Sequence, residues 1–326
     1  MKYKIAVIEE IHKDGLNLFN KHPDFEYELI TNVSESNLIK KLPNFDACTL
    51  RVSKLDEKIL KHCNKLKAIS RHGVGFDNVD INYIKKNNIS LLITATANAV
   101  AVAEHVLSMF LSLSKSISKY DEEVRKGNFK LNADKIQTFE LLNKNVLIAG
   151  FGRIGKKLIS RCLAFDTKVY IYDPYVDEKI IKEFGGIKVD KIEDGLKNAD
   201  YVSLHMPLTN ETKNLINYSV LKTMKKNSII INTARGGIIN ELELEKALNE
   251  GLIFGAALDV FSNEPVEKNN PLLKNEKVIL SPHSATFTDE CTSRMGIETT
   301  KNIIDFFENK IDKSMIVKLW LMLKDN

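Results

Sequence analysis

The chain has 326 residues, 44% of them hydrophobic and 28% charged, with a net charge of +4; that is room for two ordinary globular domains. The slight positive excess is spread through mixed-sign patches such as KHCNKLK and EKALNE, so neither a nucleic-acid stripe nor a membrane-binding face is expected. Cys48, Cys63, Cys162 and Cys291 are far apart, form neither a C-x-x-C pair nor a zinc spacing, and read as reduced thiols, with no metal expected.

The amino terminus runs straight into the strand-like KIAVIE, with no apolar core and cleavage site of a secretory signal. The longest apolar segment, Val100 to Leu113, is broken by Glu104 and His105 and is too short for a bilayer. A cytoplasmic protein is expected. KIAVIE, EYELIT, DACTLR, LKAIS and ISLLIT then alternate with helical stretches, the pattern of a parallel sheet with helices on its faces. Arg51 ends one of these strands, and RHGVGFDNVD, Arg71 to Asp80, follows another. Gly73 and Gly75 bracket Val74 in a turn whose N–H groups suit an anion, although by itself the turn is an ordinary loop.

Thr96 to Ser114 is apolar at helical spacing and reads as a buried helix. The polar stretch from Val124 to Asn145 loses that periodicity and reads as an arm or loop. VLIAGFGRIG, Val146 to Gly155, then turns a strand into a helix through three glycines. Gly150 makes the tight turn, Gly152 lets the backbone approach a pyrophosphate, and Gly155 lets strand and helix pack closely. The N–H groups at the helix start face the phosphates. Asp173 stands eighteen residues after Gly155, at the end of KVYIYD, where a carboxylate takes the hydroxyls of an adenosine ribose and repels a 2′-phosphate, so NAD is expected over NADP. The other reading of Asp173 is a strand-end turn before Pro174.

YVSLHMPLT, SIIINTARGG, GAALDVFS and KVILSPHSA follow, each an apolar strand ending in polar residues. His205, Arg235, Asp259, Glu264 and His283 all come from these ends. Each alone reads as a satisfied histidine, a surface arginine or a turn carboxylate; together they make one functional rim beside a dinucleotide site. The first domain needs a further element to close it, and the helical tail Cys291 to Glu308 is the available candidate for its last strand. The domains are therefore expected to be interleaved.

RHGVGFDNVD, ANAVAVAEH, VLIAGFGRIG, HMPLTNET, INTARGGIIN, GAALDVFSNEP and SPHSA, in this order and spacing, resemble the D-isomer-specific 2-hydroxyacid dehydrogenases, the family that includes phosphoglycerate dehydrogenase and glyoxylate or hydroxypyruvate reductase. The resemblance implies two Rossmann-like, doubly wound parallel-sheet domains. A flavodoxin-like substrate domain, residues 1–97 plus 289–326, is split by an NAD-binding domain, residues 98–288. It further implies backbone contacts from Arg153 and Ile154 to the pyrophosphate, and a cofactor cleft lined by His205, Pro207 and Thr212. Thr233 and Ala234 would contact NAD by backbone, and Asp259 would take the nicotinamide carboxamide. His283 matches the acid/base, Glu264 its partner, and Arg235 the arginine that grips the substrate carboxylate. Val74 and Gly75 would take the other side of that carboxylate, and Arg51 its distal end. The family dimerises through the region matching Val100 to Leu142.

The chemistry fits these residue types. Removing a hydride from a carbinol carbon requires a base at its hydroxyl. Histidine, with an ordinary pKa of about 6.5, is moved upward by a neighbouring carboxylate. A guanidinium grips a carboxylate bidentately. Departures from the family pattern are ITATAN, Ile93 to Asn98, without the usual proline and glycine; Asn143 in place of a glycine; and Ser284 in place of an aliphatic residue. The tail Lys318 to Asn326 has no counterpart, and no appended regulatory domain is expected in this length.

The expected activity is NAD-dependent oxidation of a small D-2-hydroxy acid or reduction of a 2-keto acid by a homodimer. D-3-phosphoglycerate is the leading substrate and glyoxylate or hydroxypyruvate the alternative, with a formate or phosphite oxidiser of the same fold also open. A reading from another class is a non-catalytic NAD(H) sensor of the corepressor kind, which can retain all three catalytic-type residues; the lack of long disordered flanks weighs against it.

Overall fold

Val7, Ile8, Ala6 and Ile5 of the first apolar run are all fully buried, as a strand covered on both faces requires. In the computed structural model residues 2–129 and 136–318 are described. That run is β1 (Tyr3–Ile8), followed by α1 (Lys13–Lys21), β2 (Phe25–Ile30), α2 (Glu35–Lys41), β3 (Ala47–Leu50), α3 (Glu57–Leu60), β4 (Ala68–Arg71), α4 (Ile81–Lys86) and β5 (Ser90–Ile93). Every pairing among the five strands is parallel, in the order β2-β1-β3-β4-β5. This is the flavodoxin-like order, whose direction reverses between β1 and β3.

The second alternation begins with α5 (Ala99–Lys115) and α6 (Ile117–Arg125). It continues through β6 (Asn145–Ala149), α7 (Arg153–Leu163), β7 (Lys168–Tyr172), α8 (Glu178–Glu183), β8 (Ile187–Lys188), α9 (Ile192–Asn198), β9 (Tyr201–Leu204), α10 (Tyr218–Leu221), β10 (Ile229–Asn232), α11 (Glu241–Asn249), β11 (Gly255–Leu258) and β12 (Val278–Leu280). The seven strands are again all parallel, in the order β12-β11-β10-β9-β6-β7-β8. Taken from β6 outward this is the dinucleotide-binding order with one strand added, and it reverses between β6 and β9. Ile229, Ile230 and Ile231 of β10 have no exposed surface, and each such side chain contributes about 1.5–3 kcal/mol by leaving water. β8 escapes the sequence reading because it is an edge strand of two residues with no apolar run.

The helix expected over 96–114 is α5. Val106, Met109, Phe110 and Leu113 are buried along it, the Phe110 ring meets Tyr201 edge-on at 5.1 Å, and Ser114 Oγ lies 3.0 Å from the Tyr201 hydroxyl. Among the described residues no single helix is long and apolar enough to cross a membrane. All four cysteines are buried free thiols. Asn143, in the family's glycine position, has φ 60°, a left-handed conformation that asparagine tolerates better than most residues. The arm expected over 124–145 continues α6 as far as Arg125, and its residues 130–135 lie outside the described residues, as do 319–326 of the tail.

The chain forms two compact units, residues 1–98 with 287–326, and residues 99–286. The first is completed by α12 (Asp289–Phe307), capped by the Thr288 side chain, which accepts from the Cys291 N–H. The tail thus closes this unit as a helix, which corrects the expectation of a returning strand. Beyond β5, among the described residues, only an isolated antiparallel bridge, Leu92 to Ile316, is made. α12 lies across β3, β4, β5 and α1, and a methyl group at Gly15 of α1 would run into the backbone carbonyl of Gly296. The two helices therefore touch backbone to backbone.

Candidate active site

In an open parallel sheet, ligands gather at the carboxyl ends of the strands where the order reverses. In unit 2 that point is the end of β6, where Gly150 adopts φ 103°. A side chain there would also come within 2.5 Å of the His205 carbonyl, so glycine is required twice over. A methyl at Gly155 would run into the Gly150 carbonyl, whereas one at Gly152 would meet nothing within 4 Å. Gly152 therefore faces open space at the start of α7, a helix that no side chain caps, so the N–H groups of Arg153 and Ile154 are placed to receive an anion. Asp173, at the end of β7, accepts from the Phe151 N–H at 2.8 Å and the Tyr175 N–H at 2.9 Å. Its carboxylate ties the glycine turn to the neighbouring strand end.

The next strand ends supply two buried polar atoms without a partner among the described residues, Nδ1 of His205 and Oγ1 of Thr233. Such atoms are costly unless something satisfies them. Burial pushes the His205 imidazole down to about 4, so the ring is neutral, with Nε2 bonded to Ser203 Oγ at 2.8 Å. Thr212 Oγ1 donates to the Pro207 carbonyl at 2.7 Å and accepts from the Thr209 N–H, which fixes the loop carrying Pro207. The open cradle at Gly152, the uncapped helix and the two unsatisfied atoms fit a dinucleotide.

Arg235 stands three residues beyond β10. Asn232, almost wholly buried, holds the turn between them: its Nδ2 donates to the Arg235 carbonyl at 2.8 Å and its Oδ1 accepts from the Ala234 N–H at 3.0 Å. Arg235 Nη1 donates to the Ala234 carbonyl. Asn232 is not among the residues expected from the sequence, although a polar residue closing a run of three isoleucines is a usable signal.

Glu264 and His283 meet directly, with His283 Nδ1 2.7 Å from Glu264 Oε2, while Oε1 accepts from the Phe261 N–H at 3.0 Å. The Glu264 bond, aided by the Glu264 and Asp259 charges, raises the His283 pKa above its ordinary value against partial burial and the nearby Arg235. Partial burial works to raise the Glu264 carboxyl, but the bonds from His283 and Phe261 and the positive charges of His283 and Arg235 outweigh it and hold it low. With Nδ1 committed to the carboxylate, Nε2 is the nitrogen left to exchange a proton with a ligand. His283 also has φ 52°, a left-handed conformation costing a non-glycine residue on the order of 1–3 kcal/mol and typically kept where it orients a functional group.

Asp259, 1% exposed, is committed to that same loop. It accepts from Ser281 Oγ at 2.5 Å, the Ser284 N–H at 2.8 Å and the Ala285 N–H at 3.1 Å. Arg51, Val74 and Gly75 belong to unit 1. Arg51 Nη1 donates to the Glu10 carbonyl at 2.8 Å, and Arg71 binds the carbonyls of Gly75, Leu50 and Arg51. Gly73 has φ 153°, bending the turn as its spacing predicts. His72 beside it is neutral, pushed down to about 4 by burial and by the charges of Arg51 and Arg71, with its Nε2 unsatisfied. No group of three or more metal-binding side chains occurs among the described residues.

The family model for the NAD-binding domain of the D-isomer-specific 2-hydroxyacid dehydrogenases matches residues 107–285. A D-3-phosphoglycerate dehydrogenase of Methanocaldococcus jannaschii is 32% identical over 96% of this chain, which spans 59% of that relative's length. A glyoxylate reductase of Thermococcus litoralis is 35% identical over 98% of both chains. Among solved structures, D-lactate dehydrogenase from Aquifex aeolicus, complexed with NAD and lactic acid, superposes with a TM-score of 0.84 at 30% identity, covering 96% of this chain and 98% of the other. A glycine turn at the switch point, a paired glutamate and histidine on the strand rim, and a family model spanning more than half of the chain agree: this chain belongs to the D-isomer-specific 2-hydroxyacid dehydrogenases.

Proposed function

We propose that the protein is an NAD-dependent reductase of small 2-oxo acids, running in reverse as a D-2-hydroxyacid dehydrogenase. The observation that carries this reading is the 2.7 Å pair of His283 and Glu264, with Nε2 left to a ligand and Arg235 near enough to oppose the histidine's charge. Gly150, Gly152, Arg153, Ile154 and Gly155 would hold the pyrophosphate. Asp173 would accept from the adenosine ribose, and His205, Pro207, Thr212, Thr233, Ala234 and Asp259 would line the rest of the NAD site. Bound NAD(H) supplies or takes the hydride at the substrate's C2. Arg235 would bind the substrate carboxylate and polarise the keto oxygen, and protonated His283 would give its Nε2 proton to that oxygen as it becomes a hydroxyl. Glu264 keeps the ring oriented and charged. Val74 and Gly75 would receive the other side of the carboxylate, as the family resemblance implies.

For the substrate, a distal phosphate would want extra cations such as Arg51 or Arg71. Arg71 spends Nε and Nη1 on backbone carbonyls, which favours an unphosphorylated acid such as glyoxylate or hydroxypyruvate. The D-3-phosphoglycerate reading rests on Arg51 and on likeness to relatives of that name. We further read the active form as a homodimer, on the exposed Ile117 and Val124 of α6, and the compartment as the reducing cytoplasm. NADH consumption with glyoxylate, hydroxypyruvate and phosphohydroxypyruvate, repeated with NADPH, separates these readings. Preference for the phosphorylated acid selects the second substrate, and tight NADH binding without turnover of any acid returns the protein to the sensor class.

A further inference from the structure

His105 lies in the middle of α5 and has no part in the chemistry described above. Its Nε2 is 3.1 Å from Ser281 Oγ and 3.7 Å from Asp259 Oδ1. Ser281 has one hydroxyl hydrogen and directs it to Asp259 Oδ1 at 2.5 Å. The serine oxygen can then only accept from the ring, so His105 Nε2 must carry a hydrogen. The result is a chain of donors with a fixed direction, from His105 through Ser281 to Asp259. The carboxylate also accepts from the N–H groups of Ser284 and Ala285, so it grips the loop on both sides of His283. At the apex His283 takes its left-handed backbone, and its own N–H returns to the Ser281 carbonyl at 3.0 Å.

We propose that His105 is a positioning residue for the reaction: through Ser281 and Asp259 it holds the 281–285 loop in the one backbone conformation that aims His283 Nε2 at the substrate. A residue at positive φ reverts to commoner conformations unless its surroundings over-determine it. The buried Asp259 carboxylate can do this only while its donors are complete, because a carboxylate short of a donor recruits water or another group. The ring is supplied by a helix packed along β10, β11 and α7, a rigid support for a loop that must not drift. Ser281 is the link, and its loss should be equivalent to the loss of His105.

This inference rests on the reading of His283 as the acid/base, and the experiment keeps the two apart. His105→Ala, His105→Gln, Ser281→Ala, Ser281→Thr and the double His105→Ala/Ser281→Ala variant would be compared with the parent protein and with His283→Ala. The readouts are kcat and KM on the best 2-oxo acid, NADH affinity by fluorescence, and the His283 ring signal in nitrogen-15-labelled protein titrated with acid. His105→Ala and Ser281→Ala should each lower kcat about ten- to hundredfold, the scale of a misplaced reacting group, and the double variant should fall no further than either single. KM should stay within about twofold, since Arg235 is untouched, and NADH affinity should change far less than kcat, since Asp259 is the one proposed cofactor contact that borders the change. The His283 signal should be single in the parent, broadened or doubled in the alanine variants, and single again in His105→Gln and Ser281→Thr, which restore a donor at each place. In the alanine variants its midpoint should fall back towards the ordinary histidine value as the Glu264 pair loosens against the unchanged Arg235.

Parent-like kcat and an unchanged ring signal in His105→Ala would overturn the proposal. So would a double variant whose losses multiply, or a loss that glutamine does not restore and that tracks melting temperature and NADH affinity, the mark of a merely structural residue. If His283→Ala keeps full turnover, or no acid is turned over, the functional reading falls, and the ring signal still decides whether His105 orders the loop.

Discussion

His283 joins two features that seldom meet in one residue, a left-handed backbone and a ring bonded to a carboxylate. Its raised pKa means that the charged ring is favoured in the folded protein, so the pair's contribution to stability is complete below the ordinary value of 6.5 and is lost as pH rises through the raised one. Glu264, held low, contributes above its ordinary 4.5 and loses that contribution as pH falls through its lowered value. Between those limits the two form an ion pair. Glu264→Gln should therefore let the His283 midpoint fall, and the alkaline limb of keto acid reduction should move to lower pH, read from kcat/KM against pH. His283→Ala should cut turnover by about a thousandfold or more, within the range of a lost general acid, and leave NADH fluorescence titrations nearly unchanged. Asp173→Ala should weaken NAD and narrow the preference over NADP. It should also lower stability by about 1–2 kcal/mol, as two backbone N–H groups lose their acceptor. Arg235, Glu264 and His283 stand out in the sequence because each follows an apolar strand in a recognisable string. Asn232, Ser281 and His105 do not: their bonds join residues brought together by strand and helix neighbourhood, which a linear string does not display.

At the scale of elements, two glycines make opposite demands. Gly15→Ala forces a methyl group into the Gly296 backbone where α1 crosses α12, and overpacking of this kind costs roughly 1–3 kcal/mol, visible as a lower melting temperature with unaltered NADH affinity in the surviving folded fraction. Gly152→Ala places its methyl in open space, so melting should be unchanged while NADH binding weakens, because that space is where the cofactor's phosphates would come. Identical behaviour of the two variants in both assays would undo this assignment. The long strands and helices were readable from apolar runs and periodicity. β8, with two residues, carries no such signal. The tail reads as helical, but its place on the sheet was hidden because its partners, β3 to β5 and α1, lie about two hundred residues or more earlier.

At the scale of the whole molecule, two sheets of different strand order share one chain, and the join is local. Just before the chain leaves unit 1, Thr96 bonds through N–H and hydroxyl to Glu298, the Ala97 carbonyl accepts from Arg294 Nε at 3.1 Å, and Asn302 Nδ2 donates to the Ile93 carbonyl. These partners all lie on α12, the first helix formed after the chain returns at residue 287. ITATAN thus lacks the family's proline and glycine but is gripped by three side chains of one helix face. Departure and return are adjacent, so the nucleotide-binding unit is grafted at a single seam. A chain in which residues 99–286 are replaced by a short glycine–serine linker should still fold, because domains inserted between neighbouring points leave the host's core intact. One cooperative melting transition and dispersed amide resonances would be the sign. The helix that closes one sheet then acts as a suture, and the cofactor unit becomes an exchangeable cassette that a different nucleotide-binding fold with closely spaced ends can replace.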